Sequence, residues 1–199
     1  MTRITRATQL ALSTMWMQHR FQRAVEFAAA ARALGFGGIE VSHIVTPAML
    51  DDADPATLGI RSVHFPAPLR PSPFGAAAET LLSSSDDAAR AWAVAQGRGS
   101  IDLAVSAGAT AVCLHLGEVP APHHLEWALM QRYLGGQSGS PAYAAALSEV
   151  EAARWQVTGP AFEAARRSLA ELAAYAAPRG IRLGVESRTN HWQIPAFAE

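Results

Sequence analysis

The stretch Gly180-Ile-Arg-Leu-Gly-Val-Glu-Ser-Arg188 decides how the rest of the chain is read. It follows a helical pattern that ends at Ala176–Ala177, where Pro178 and Gly180 supply the stop. Ile181, Leu183 and Val185 then make a short apolar run, which predicts a buried strand of a parallel sheet, apolar throughout because both faces are covered. Glu186 stands where that run stops. A carboxylate there is costly unless the strand has just emerged into a site. Ile60-Arg-Ser-Val-His64 and Ala111-Val-Cys-Leu-His115 end in the same way, on an imidazole. Two imidazoles and a carboxylate, each at the carboxyl end of its own strand, are what a metal site on a barrel mouth requires.

Working outward, the same unit recurs: helix, glycine, short apolar strand, polar residue. It is found at Gly35/Glu40, Gly59/His64, Gly108/His115 and Gly180/Glu186. Gln9–Thr14 is the expected first strand. Phe21, Val25, Ala28 and Leu34 recur near helical spacing, with Gly35 as the cap. Ile39-Glu-Val41 is the second strand, closed by Ser42 and His43. A short helix is expected over Pro47–Leu58, with Thr46 as N-cap. Pro66–Pro73 holds four prolines in eight residues and reads as loop. Ser84 or Ser85, followed by Asp86 and Asp87, opens a helix reaching Ala107, its middle weakened by Gly97 and Gly99 at about 1 kcal/mol each. Residues 117–158 read as a long excursion with helical pieces, and Thr158 and Pro160 as the start of a last helix. Trp92, Trp155 and Phe162 read as core. Strands alternating with helices argue for a parallel α/β sheet with right-handed crossovers. A doubly wound sheet and a barrel both fit that rhythm, and polar groups at nearly every strand end favour the barrel.

Composition narrows the function classes. The 199 residues are 50% hydrophobic, enough for one substantial core, so residues 1–199 read as a single domain. Sixteen basic and seventeen acidic residues give a net charge of −1 with no block of like charge, which argues against a nucleic-acid or membrane partner. The single cysteine, Cys113, falls inside a strand, so there is no disulfide framework and a reducing, cytoplasmic setting is expected. The start faintly imitates a secretory signal, but Gln9, Ser13 and Thr14 interrupt its apolar run.

Ser62-Val-His-Phe-Pro66, Cys113-Leu-His-Leu-Gly117, Val185-Glu-Ser-Arg188 and His191-Trp-Gln-Ile-Pro195 together resemble the xylose-isomerase-like barrels. Gly35-Phe-Gly-Gly-Ile-Glu-Val41 is similar to the second strand of that superfamily. The group holds sugar and sugar-phosphate isomerases and epimerases, and the metal-dependent apurinic endonucleases. The resemblance implies a parallel (β/α)8 TIM barrel with a divalent metal, Mn, Mg, Co or Zn, at its mouth. It implies Glu186 as metal ligand and catalytic carboxylate, and His64 and His115 as further ligands, the two histidines after the endonuclease branch. Ser187 stands where the family usually has Asn, and Gln193 where it often has Glu. A complete barrel of this kind takes about 250 residues. The sequence is therefore expected to supply about five of eight units, with the other ligands and the second base lying beyond it. A fragment of that kind is expected to be inactive by itself, to bind metal weakly and to associate through exposed strand edges.

Other residues carry two readings each. Glu40 either contacts substrate or pairs with a neighbouring base. His64, besides metal, is placed to touch substrate beside the proline-rich loop. Arg188 either holds a substrate phosphate or carboxylate by its bidentate fork or neutralises Glu186. His191 is a substrate-binding candidate in a loop, and the adjacent His123 and His124 diverge too much to share a metal. The expected activity is metal-dependent isomerisation or epimerisation of a sugar or sugar phosphate, by proton abstraction next to a carbonyl through an enediolate. The alternatives are phosphodiester hydrolysis at abasic DNA, or a non-catalytic partial barrel that binds a sugar or a partner. A homo-oligomer is compatible with all three.

Overall fold

In a computed structural model, which describes residues 10–120, 122–187 and 190–196, the apolar runs become five parallel strands. They are β1 (Ala11–Ser13), β2 (Gly38–Val41), β3 (Ile60–His64), β4 (Ala111–Leu114) and β5 (Arg182–Val185). Each pairs with the next, in the order β1-β2-β3-β4-β5 with no reversal. A doubly wound sheet reverses its order at a switch point, whereas a barrel adds every strand on the same side. The order therefore decides between the two architectures: the chain forms five strands of a parallel α/β barrel arc.

Helices α1 (Ala24–Ala33), α2 (Ala78–Leu81), α3 (Asp87–Ser106), α4 (His123–Leu134) and α5 (Pro141–Ala176) complete the chain. Successive residues of a strand point to opposite faces, and here the faces differ in kind. Val63, Val112 and Leu114 are fully buried, in one cluster with Phe27, Ile101 and Leu172 of the helices. Ser62, His64, Ala111 and Cys113 point the other way and are only partly covered. The expectation of strands apolar on both faces is thus corrected: the inner face of the arc is small and polar. β5 departs further. Among the described residues it pairs with β4 alone, so Gly184, Val185 and Glu186 are exposed, Val185 to 41%.

Three helix expectations also change. Pro47–Leu58 is not one helix but two 3-10 turns, Pro47–Met49 and Pro55–Thr57. Pro55 holds the residue before it, Asp54, out of the helical region (ψ 116°), and the Asp54 side chain then caps the second turn through the Ala56 amide. The last helix starts at Pro141, not at Thr158, and runs 36 residues straight past Pro160. Ser140 caps it by accepting from the Tyr143 amide at 3.1 Å. The rung that Pro160 deletes belongs to the Gln156 carbonyl, on a solvent-exposed side of the helix. Gly97, read as a weak point, is a point of close approach: a Cβ there would lie 2.7 Å from Leu172 Cδ2, so its absence lets α3 and α5 touch. Trp155 is 56% exposed rather than core, whereas Trp92 and Phe162 do pack against the buried cluster. No described helix is long and apolar enough to cross a membrane.

Candidate functional site

Strand pairing sets the site. Glu40 lies opposite Ser62, His64 opposite Cys113, and Cys113 opposite Gly184. Side chains two residues apart on a strand share a face, so Ser62 with His64, Cys113 with His115, and Gly184 with Glu186 all look into the arc. The register therefore gathers Glu40, His64, His115 and Glu186 at the carboxyl end of the sheet, where barrel enzymes place their chemistry.

His64 Nε2 and His115 Nε2 face each other at 2.9 Å, with ring centroids 4.8 Å apart. His115 is buried, and its Nδ1 lies 2.9 Å from the Glu186 main-chain oxygen. A carbonyl only accepts, so His115 carries its proton on Nδ1 and offers a lone pair at Nε2. Without a cation, His64 must then donate from Nε2 to that lone pair. The Glu186 amide donates to Leu114 O at 3.0 Å, so the main chain of Glu186 is clamped by β4 on both sides. Its side chain is exposed, and one oxygen accepts from the Cys113 thiol at 3.3 Å. Burial, and then the Glu186 carboxylate beside it, push the Cys113 thiol up to about 12. Glu40 Oε2 accepts from Ser62 Oγ at 2.8 Å, while Oε1 lies 3.9 Å from His64 Nδ1, beyond hydrogen-bond distance. The neighbouring His64 imidazole holds the Glu40 carboxyl below its ordinary range, outweighing the opposing effect of burial, with help from Ser62.

One potential ligand atom each from His64, His115 and Glu186 lies within 4.8 Å of the others, the one such group among the described residues. Its donors suit a divalent cation. Two ligands about 2.1 Å from one ion are about 3.0 Å apart at a right angle and about 3.4 Å apart at the tetrahedral angle. The 2.9 Å between the imidazole nitrogens is a hydrogen-bond distance, and a separation close to either value brings both nitrogens within reach of one ion. The Nδ1 bond to a main-chain carbonyl is the usual way a ligating histidine is oriented.

The remaining expectations fall elsewhere. His191 is tied to α4, with Nδ1 3.1 Å from both carboxylate oxygens of Glu126, and its carbonyl accepts from Arg154 at 2.7 Å. It does not join the His64 group. Gln193 is buried and donates to Glu118, in a short antiparallel bridge that folds residues 192–194 onto the loop after β4. His123 and His124 open α4 and join no metal-binding group among the described residues. Arg188 lies outside the described residues. Clefts of about 360 and 450 Å³ flank the arc, but neither is lined by His64, His115 or Glu186. Ser62 and Cys113 were missed as parts of the site, although their two-residue spacing from His64 and His115 already placed them on the same face.

Several solved structures superpose on parts of this chain. An L-ribulose 3-epimerase superposes with a TM-score of 0.51 at 21% identity, over 85% of this chain and 45% of that one. D-allulose 3-epimerase from Methylomonas sp. gives 0.48 at 18%, over 85% and 47%. A xylose isomerase domain protein from Planctomyces limnophilus gives 0.41 at 19%, over 80% and 48%. The chain thus spans about half the length of the solved structures it matches. The first superposition agrees with the barrel fold derived above from strand order. No protein-family model matches the sequence, and no curated protein matches it either.

Proposed function

We propose that this chain carries part of the active site of a metal-dependent sugar or sugar-phosphate isomerase or epimerase. The observation that carries the reading is the convergence of His64 Nε2, His115 Nε2 and the Glu186 carboxylate at the carboxyl end of the sheet. These three groups would hold a divalent cation, Mn, Mg, Co or Zn, which would supply a positive charge next to the substrate's carbonyl and hydroxyl oxygens. His115 presents its lone pair in a fixed orientation because Nδ1–H is spent on the Glu186 carbonyl. His64 rotates little, flanked by His115 on one side and Glu40 on the other. Glu186 is the group that takes the proton from the carbon next to the carbonyl, generating an enediolate. Glu40 and His64 line the approach for the sugar hydroxyls. A sugar or sugar phosphate as substrate draws support from the fold shared with a sugar epimerase.

The test is solvent exchange. Incubated with Mn2+ and a panel of ketoses in D2O, the protein is expected to place deuterium on the carbon next to the carbonyl, as read by NMR. Exchange needs one base, whereas epimer formation also needs a second on the opposite face. Glu186→Gln is expected to abolish the exchange. A second reading, a metal-dependent phosphodiesterase acting at abasic sites, is favoured by the facing imidazoles at the ends of β3 and β4. Cleavage of an abasic duplex with no ketose exchange would establish that reading instead.

A further inference from the structure

Cys113 is an inward-facing group beneath the imidazole pair that the proposed chemistry leaves without a task. It sits between the strands that carry two of the three converging groups, level with His64 on β3 and with Gly184 on β5. Its thiol reaches diagonally to Glu186, with Sγ 3.3 Å from Oε2, while the main chain of Glu186 is held from β4 by the Leu114 carbonyl and His115 Nδ1. The carboxylate itself projects from an exposed strand end. Among the described residues, the thiol is its one recorded side-chain partner.

We propose that Cys113 is a positioning residue for the cation site, its S–H donating to Glu186 Oε2 so that the other carboxylate oxygen is turned toward His64 and His115. The inference rests on the proposed reading of those three residues as cation ligands. A freely rotating glutamate loses side-chain entropy when it is recruited to an ion, and a donor that already selects one rotamer removes part of that loss. The thiol fits this task because it spans the gap between two strands without bringing a second charge. A sulfur ligand to the ion is a different role, and the geometry argues against it: the grouping within 4.8 Å includes both imidazoles and Glu186 but leaves Sγ out.

The test titrates Co2+ into the 199-residue protein and into Cys113→Val, Cys113→Ala and Cys113→Ser, by calorimetry and by visible spectroscopy, with a thermal melt of each apoprotein. Val and Ala remove the donor, one keeping bulk and the other avoiding a clash, and Ser restores a donor. The expected result is about tenfold weaker binding for Val and Ala, return to within about threefold for Ser, and unchanged melts for whichever of Val or Ala folds as the parent does. Equal affinity in all four proteins overturns the inference and leaves the metal site standing. So does a near-ultraviolet sulfur-to-cobalt charge-transfer band in the parent that disappears in Ser, because the thiol is then a ligand. Absence of Co2+ binding in the parent overturns both the inference and the reading on which it rests.

Discussion

The two ends of the candidate site are built differently. His64 ends β3 and His115 directly follows β4, interior strands whose outward-facing residues Val63, Val112 and Leu114 are fully buried. Glu186 follows β5, an edge strand among the described residues, with Gly184 and Val185 exposed beside it. The imidazoles are held by the packing of the sheet, and they meet at 2.9 Å before any ligand arrives. The carboxylate is held through its main chain by β4 and through its side chain by one thiol. One end of the site is preorganised by the core, and the other is tuned by a few polar contacts. Mutations should therefore separate the two, with stability and binding falling together at the centre and binding alone falling at the edge.

The largest effect is expected at the centre. His115→Ala removes a proposed ligand, the partner of His64 and the donor to the Glu186 carbonyl. It should reduce divalent-metal affinity at least about a hundredfold and cost about 1–3 kcal/mol in chemical denaturation, because buried groups lose partners. Glu186→Gln keeps the shape at an exposed position and should match the binding loss with no change in the melt. If both variants unfold at the same denaturant concentration, the distinction between centre and edge fails. Away from the ligands, Val112→Ala should cost about 2 kcal/mol, whereas Val185→Ala should change stability by less than about 0.5 kcal/mol. Paired urea titrations read the difference directly, and equal costs would show the edge strand to be as tightly packed as the centre.

The smallest effect concerns acid. Glu40 has its pKa lowered by folding, chiefly by His64. Its contribution to stability is then present in full above the unfolded value of 4.5 and is lost as pH falls through the folded one. Glu40→Gln should flatten the acid limb of the stability curve in that window and leave the neutral plateau nearly parallel. A variant whose loss is the same at pH 3 and pH 7 would show that the carboxyl is not held by His64.

Much of this was legible in the sequence because strand ends are conspicuous. A carboxylate or imidazole terminating an apolar run breaks a pattern, and His64, His115 and Glu186 each did so. The barrel was legible as a rhythm, but only the pairing order separated it from a doubly wound sheet. The supporting contacts were harder to see. Ser62 and Cys113 look like ordinary small strand residues, and their task follows from register, which single-strand periodicity does not specify. His191 stood near Glu186 in sequence, yet Glu126 of α4, far away in sequence, captures it. Pro160 misled for a local reason: the hydrogen bond it removes lies on an exposed side of the helix, where its loss costs least.

The account turns on whether His64, His115 and Glu186 hold one cation between them. Crystals of the protein soaked in Mn2+ and measured at a wavelength with strong manganese anomalous signal test this directly. The expected result is one anomalous peak about 2.1 Å from both Nε2 atoms and from a Glu186 carboxylate oxygen, with His115 Nδ1 still on the Glu186 carbonyl. A map with no peak there, or with manganese held elsewhere while the imidazoles stay hydrogen-bonded at 2.9 Å, contradicts the account.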